Sequence, residues 1–308
     1  MFKADNPFLP QARLATRMLR LVAEEPALAL KGGTAINLFY RNLPRLSVDL
    51  DLVYLPVEER APSLAAIAAA LHRIAGRAGE ALGDAQVHAQ SAAAGKLVAQ
   101  QGRVTVTVEV NTVLRGSVHP AERRAAQPSV QDLFGDITAQ VLAFEDVYAG
   151  KLVAALDRQH PRDLFDVMLL LDAEGVSERL IDAFVVYLAS HDRPIAEVLD
   201  PREKDVRHAY EQEFAAMSGN PVSLDQLLDA RRRLVQALKK GFQTRHREFL
   251  RSVKRLDPDW SLLPVPHAAT LPGIRWKLHN LGILRKEQPA RHARLLDELE
   301  RTLEQFIS

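Results

Sequence analysis

Two stretches near the N-terminus decide the fold class: LALKGGTA at residues 28–35 and VDLDLVY at residues 48–54. The first has a short apolar run, a pair of glycines and then apolar residues at helical spacing, which predicts a strand, a glycine turn and a helix. The second alternates apolar and acidic residues with the period of a strand, and Pro56 follows it. Together they predict a sheet with helices packed against it.

The second stretch carries a pair of carboxylates. Asp49 and Asp51 are two residues apart, so on a strand both side chains project from the same face. Like charges side by side are unfavourable unless a cation neutralises them, and Mg²⁺ typically binds one or two protein carboxylates together with substrate phosphates. Taken alone, the pair is also typical of an exposed strand edge with two solvated acids.

Neighbouring motifs favour the metal interpretation. The glycines of the Gly32-Gly33-Thr34 turn let the backbone approach a phosphate, and the following helix offers free N–H groups, although an ordinary turn has the same residues. Val104 to Val113 predicts the clearest strand, and Glu109 lies on the face opposite its valines. A third acid there would complete a site for two metal ions, whereas the alternative is the solvent face of a strand.

A second group of charges follows at residues 151–166. Lys151 and Arg158 are seven residues apart and share one helix face, and Asp163 and Asp166 share a face of the next helix. A lysine can hold triphosphate oxygens and an aspartate can accept a proton, but a solvated ion-pair network has the same pattern. From about residue 143 onward the spacing is helical, which predicts an α/β domain at residues 1–142 and a helical domain at residues 143–308.

Composition excludes several classes of site. The 308-residue chain has no cysteine, which excludes disulfides, thiolate metal sites and cysteine nucleophiles and fits a reducing compartment. No apolar run approaches the ~20 residues of a membrane span, and the N-terminus lacks the pattern of a signal peptide. We therefore expect a cytoplasmic protein without membrane contact.

The net charge is only +1, but residues 231–255 contain ten Lys or Arg residues and one acid, Glu248. Such a stretch can serve as an electrostatic footprint for a polyanion, and a solvated helix face has the same pattern. Phe242, Phe249 and Trp260 are predicted either to stack on unpaired bases or to lie in the core. Trp276 is predicted to lie in the core.

Four motifs, in this order, resemble those of the AbiEii/AbiGii nucleotidyltransferase toxins. They are KGGTA at residues 31–35, RLSVDLD at residues 45–51, Lys151 followed by Arg158 and RDLFD at residues 162–166, and LPGIRWKLHNL at residues 271–281. The resemblance spans about residues 28–281. Each motif alone is degenerate, whereas the ordered set is fairly specific.

The resemblance implies an α+β fold, with an N-terminal DNA polymerase β-like core around a small mixed sheet and an all-helical C-terminal domain. It implies Asp49 and Asp51 as catalytic Mg²⁺ ligands, Lys151 as a triphosphate contact from the helical domain, and Asp166 as an essential acid. Glu109 is the expected third metal ligand, and Asp163 has a supporting role. The residues expected near the nucleotide are Lys31, Gly32, Gly33, Thr34, Ser47, Arg158 and Arg162.

The implied activity is transfer of NMP from an NTP to an acceptor, with the 3′ end of tRNA expected first. The protein would act as the toxin of a toxin–antitoxin or phage-defence system, beside a cognate antitoxin such as a winged-helix regulator. Two alternatives stay open: transfer of NMP to a protein hydroxyl, and an inactive protein that only binds nucleotide or a partner.

Overall fold

The computed structural model describes residues 2–3, 5–83, 85–89 and 94–306. They form two compact units. Unit 1 comprises residues 1–147 and 212–222, and unit 2 comprises residues 148–211 and 223–308. Residues 212–222 belong to unit 1 because Leu46 donates its backbone N–H to the carbonyl of Met217, and Arg45 forms an isolated antiparallel β-bridge with Ser218.

Unit 1 is built on one mixed sheet of seven strands, in the order β3-β4-β5-β2-β1-β7-β6. The β2–β5 and β1–β7 pairs are parallel, and the other four pairs are antiparallel. The strands are β1 (Leu28–Leu30), β2 (Leu50–Tyr54), β3 (Gln86–Ala89), β4 (Lys96–Gln101), β5 (Val104–Asn111), β6 (Glu122–Ala125) and β7 (Thr138–Val141). The predicted mixed sheet is confirmed.

Alternation along the strands sets the two faces of the sheet. In β5, Val106, Val108 and Val110 are buried, while Thr105 and Glu109 on the opposite face are exposed. All three residues of β1 are buried, as expected for an apolar strand near the centre of a sheet. The sequence also predicts a short strand around residues 86–90; the strand ends at Ala89 in the structure, and Gln90 lies outside the described residues.

Four helices accompany the sheet in unit 1: α1 (Leu9–Val22), α2 (Gly32–Ala35), α3 (Arg60–Ala81) and α4 (Pro128–Phe134). Helix α2 continues directly into a wider π-type turn at Ile36–Tyr40. Strands β6 and β7 and helix α4 were not predicted, because their segments are four to seven residues long and alternate weakly.

The regular elements of unit 2 are helical throughout its described residues. Helix α5 (Phe144–Asp157) begins at the end of unit 1 and runs into unit 2. The others are α6 (Pro161–Ala173), α7 (Glu178–Ala189), α8 (Ile195–Leu199), α9 (Arg207–Ala209), α10 (Leu224–Gly241), α11 (Thr244–Arg255), α12 (Pro272–Glu287) and α13 (Pro289–Glu304). The α+β class and the helical second half are confirmed.

Candidate active site

The glycine turn between β1 and α2 lies against the acidic strand. Lys31 donates its backbone N–H to the carbonyl of Asp51 at 2.9 Å, which joins the start of the turn to β2. Gly32 has φ +69°, a left-handed conformation that favours glycine. A Cβ at Gly32 would lie 2.8 Å from Oδ2 of Asp51. The turn therefore requires glycine both for its backbone conformation and for the space that the Asp51 carboxylate occupies.

The second glycine lies against an arginine for which no role was predicted. A Cβ at Gly33 would lie 2.5 Å from Nη2 of Arg45 and 3.3 Å from Oγ of Ser47. Arg45 is buried, and its Nη1 donates to the carbonyl of Leu46 at 3.0 Å. A buried guanidinium beside a glycine turn adds positive charge where a phosphate would approach. The only signal in the sequence was its place in the motif two residues before Ser47.

Two hydroxyl groups tie this turn to the segment before β2. Thr34 is buried, and its Oγ1 donates to the carbonyl of Asp49 at 2.5 Å. Because that bond uses the Thr34 proton, Ser47 is the donor in the 2.8 Å bond between Ser47 Oγ and Thr34 Oγ1. Thr34 and Ser47 therefore fix the backbone position of Asp49.

The acids themselves lie at the start of β2. The strand begins at Leu50, so Asp49 is exposed one residue before it, and the prediction that the strand starts at Val48 was wrong. Asp51 is half-buried and is in register with Glu109 on the parallel neighbour β5, so these two side chains share a face of the sheet. The Nζ of Lys96 on β4 lies 3.9 Å from Oε2 of Glu109.

The donor atoms at this place fit a hard divalent cation. Carboxylate oxygens of Asp49 and Asp51 are the ligand type that Mg²⁺ prefers. Within the described ranges, no group of three or more His, Cys, Asp or Glu side chains is arranged so that it could hold a metal ion. Bound Mg²⁺ usually takes one or two protein carboxylates and completes its shell with water and substrate phosphates, so the pair is sufficient for a substrate-bound ion.

Unit 2 carries a separate cluster of charges on α5 and α6. The Nζ of Lys151 lies 2.7 Å from Oδ1 of Asp163 and 3.0 Å from Oδ2 of Asp166, and all three side chains are buried. Arg158 adds hydrogen bonds from Nε and Nη2 to the two oxygens of Asp163 at 2.5 and 3.0 Å. The structure thus joins Lys151, Asp163 and Asp166 in a buried network, and Arg158, whose side chain is 61% exposed, extends it to the surface.

The charges in this network determine the state of Asp163. Burial alone would raise the pKa of its carboxyl, but the charge of Lys151 and the hydrogen bonds from Arg158 outweigh burial and lower the pKa far below its usual value. Asp163 therefore stays ionised and holds Lys151 in place. Arg162 is half-buried in the first turn of α6, and its backbone N–H donates to Nδ1 of His160, the N-cap of that helix.

The basic stretch at residues 231–255 carries less unpaired charge than its composition suggests. Six of its ten cations form ion pairs with acids of unit 2, and Lys254 is buried. The six are Arg231, Arg232, Arg233, Arg245, Arg251 and Arg255. Among the described residues, Lys239, Lys240 and Arg247 have no carboxylate within ion-pair distance, and Lys240 is exposed.

The aromatic residues of this segment belong to the core. Phe242 and Phe249 are fully buried, and the ring of Trp260 packs 5.8 Å from that of Phe249. Base stacking by Phe242 and Phe249 is therefore excluded. The prediction for Trp276 was wrong, since this side chain was expected in the core and is 45% exposed on α12.

No helix of the described residues has the length and apolar character needed to cross a membrane.

A mixed sheet that presents paired acids beside a glycine turn fits a nucleotidyltransferase, a class of enzyme that acts on a nucleoside triphosphate. The chain belongs to the family of AbiEii nucleotidyl transferase toxins of type IV toxin–antitoxin systems, whose family model matches residues 13–280. This confirms the family and the enzyme class that the four motifs indicated.

Among solved structures, the chain is similar to the nucleotidyltransferase toxin MenT4 from Mycobacterium tuberculosis. The TM-score is 0.60 at 17% sequence identity, and the match covers 92% of this chain and 95% of MenT4. At this identity the similarity concerns the fold. No curated protein matches the sequence significantly.

Proposed function

We propose that this toxin transfers NMP from an NTP to the 3′ end of tRNA in a Mg²⁺-dependent reaction. One observation carries the proposal: the glycine turn closes on Asp51 so tightly that a Cβ at Gly32 would lie 2.8 Å from its carboxylate. A phosphate that approaches the turn therefore comes close to an acid that can hold its counter-cation. Membership of the nucleotidyl transferase toxin family supports the same chemistry.

In this proposal Asp49 and Asp51 hold Mg²⁺, and Glu109, in register with Asp51, is a further ligand. The bound cation supplies charge neutralisation at the phosphates of the NTP. Thr34 and Ser47 keep the backbone of Asp49 in place through the hydrogen bonds described above. The nucleotide phosphates contact the turn and its surroundings, through Lys31, Gly32, Gly33, Thr34 and Ser47.

The helical domain contributes a cation and an acid. Lys151 contacts the triphosphate, and its ammonium can donate one hydrogen bond each to Asp163 and Asp166 and still has a third N–H to donate. Asp166 is the essential acid and accepts the proton of the attacking hydroxyl. Arg158 and Arg162 assist nucleotide binding. We keep residues 1–142 and 143–308 as the proposed functional domains.

RNA is the proposed acceptor rather than protein. The support comes from Lys239, Lys240 and Arg247, the cations of the stretch 231–255 for which the described residues provide no ion pair, since such charges favour a phosphate backbone. The pairing of the other cations makes this support weaker than the composition alone suggested. A protein hydroxyl would use the same acids and is the alternative outcome of the experiment below.

The biological setting follows from the family. A type IV toxin has a cognate antitoxin, and we propose a winged-helix regulator for that role and phage defence as the purpose of the pair. Because both the NTP and the tRNA are cytoplasmic, we propose that the protein acts in the cytoplasm.

Labelling tests the proposal directly. Purified protein is incubated with Mg²⁺, each α-labelled NTP in turn, and either total tRNA or total cell protein. We expect label on tRNA with the native protein and none with Asp49→Ala. Glu80→Ala is the matched control, because Glu80 is an exposed acid on α3 whose loss leaves the turn and β2 intact. Label on protein would replace the acceptor, and transfer that persists in Asp49→Ala would overturn the assignment of the site.

A further inference from the structure

Helix α12 presents an apolar stripe to solvent. In the part of the chain that the structure describes, only three large apolar side chains are exposed: Val57 (44%), Trp276 (45%) and Ile283 (42%). Trp276 and Ile283 are seven residues apart on α12, so they lie two turns apart on one face. The opposite face is buried through Gly273, Ile274, Lys277 and Leu281. The exposure of Trp276 therefore follows from the orientation of a helix that is well packed on its other side.

The indole of Trp276 is already part of a stack. Its ring lies nearly parallel to the imidazole of His279, with 5.6 Å between centroids and 24° between planes. Asn280 lies one turn after Trp276, and its side chain is exposed. An exposed pair of flat rings with an amide next to it has the components that bind an unpaired base: a stacking surface and a group that can both donate and accept hydrogen bonds.

The charge of this face favours a polyanionic partner. Arg275 and Lys286 are exposed on α12, and Glu287 is the one acid of the helix. The first turn of α12 adds the partial positive charge of a helix N-terminus, four residues before Trp276. An apolar protein partner would use Ile283 and Trp276 but would gain nothing from these cations. A single-stranded nucleic acid, which has both a phosphate backbone and flat bases, can use both the cations and the exposed rings.

We propose that Trp276 and His279 form a platform on which an unpaired base of the RNA acceptor stacks, with Arg275 and Lys286 favouring its phosphates. The platform deepens the proposed function, because it rests on RNA as the acceptor and names where a single-stranded part of that RNA is held. It is a binding surface, and it takes no part in the transfer of the nucleotidyl group.

Fluorescence offers a direct test, because the chain has only two tryptophans, Trp260 and Trp276. In a Trp260→Phe variant, Trp276 is the sole indole, so a base that stacks on it quenches the emission. Titration with a short single-stranded oligoadenylate RNA is expected to quench, whereas a blunt-ended RNA duplex at the same concentration is expected to quench much less. In a Trp276→Phe variant, the remaining Trp260 packs against Phe249, and we expect no response.

Substitutions distinguish stacking from a general apolar contact. Base–aromatic stacking corresponds to roughly 5- to 150-fold in affinity per base, so Trp276→Leu is expected to weaken binding of the single strand by a factor in that range. Trp276→Phe retains a ring and is expected to bind nearly as well as the native protein. Val57→Ala is the matched control, since it removes an apolar side chain of similar exposure from unit 1. Equal binding by Trp276→Leu and the native protein would overturn the platform.

The outcomes separate this inference from the proposed function. In an Asp49→Ala, Trp260→Phe double variant we expect no transfer but full quenching by the single strand. Transfer to tRNA by the native protein without any quenching would overturn the platform and leave the proposed function standing. Quenching by RNA while labelled NMP goes only to protein would overturn RNA as the acceptor and with it the role of the platform in this reaction.

Discussion

Replacement of Gly32 by alanine tests whether the turn and Asp51 act together. The left-handed conformation at φ +69° costs a residue with a Cβ about 1–2 kcal/mol. The new Cβ would lie 2.8 Å from Oδ2 of Asp51, so the carboxylate must move by roughly 0.6 Å to restore an ordinary contact. A displacement of this order in a group that positions the reactants costs about 10- to 100-fold in rate. We therefore expect a small loss of stability and a large loss of activity.

Gly102→Ala provides the matched control in the same unit. Gly102 has φ +58° at the turn between β4 and β5, and a Cβ there would meet nothing within 4 Å. Both variants are expected to lose about 1–2 kcal/mol in the free energy of unfolding, measured in urea. Only Gly32→Ala is expected to lose transfer of label to tRNA. A Gly32→Ala enzyme with the native rate, or a Gly102→Ala enzyme that loses as much activity, would refute the coupling between turn and acid.

Three further predictions concern the two charged clusters. Lys151→Met leaves two buried carboxylates without their shared cation and is expected to cost about 3–5 kcal/mol in the free energy of unfolding, whereas exposed Lys240→Met leaves stability near the native value. Asp163 has a pKa lowered from 3.8, so its contribution to stability is present above about pH 4 and is lost as the pH falls further. In Asp163→Asn, the free energy of unfolding should thus decrease less steeply as the pH falls below about 4. The same decrease as in the native protein would contradict this. Both Glu109→Gln and Asp51→Asn are expected to raise the Mg²⁺ concentration needed for half-maximal transfer, and Glu109→Gln is expected to raise it less, because Glu109 is exposed and its Oε2 lies 3.9 Å from Nζ of Lys96. An equal effect would make the two acids equivalent ligands.

The fold was predictable wherever one local pattern decided the structure. Alternating valines specify β5, and the apolar–glycine–helix pattern specifies the β1–α2 turn, because each encodes its own backbone geometry and one buried face. Strands β6 and β7 escaped prediction. Residues 122–125 read ERRA and gain their strand geometry only by pairing with residues 138–141, which are distant in sequence. Pairing of this kind is a tertiary effect that local alternation does not contain.

The residues of the candidate site were predictable in type but not in their contacts. Glu109 was expected as a third acid of the site without a predicted strand pairing, and the register of β2 with β5 brings it beside Asp51. Arg45 was missed because an arginine after a proline in a loop has no periodic context, and its burial results from packing against Gly33. The motif therefore predicted the acids, whereas the place of the Arg45 guanidinium beside the turn became visible only in the structure.

The positions of Phe249 and Trp276 illustrate one limit of what helical spacing predicts. Both Phe249 and Trp276 lie on helices with mixed faces, and helical spacing shows which residues share a face but not which face another element covers. The face of α11 that contains Phe249 is covered, and Trp260 packs on it. On α12 the covered face contains Leu281, and Trp276 lies outside it. The same limit explains why the basic stretch carries less unpaired charge than its composition suggests. Arg245 pairs with Asp182, 63 residues away in sequence, and Arg251 pairs with Glu300, 49 residues away. A count of basic and aromatic residues along a sequence thus overestimates a binding surface where folding pairs the cations with acids or buries the rings. It underestimates such a surface where folding leaves an aromatic ring exposed to solvent.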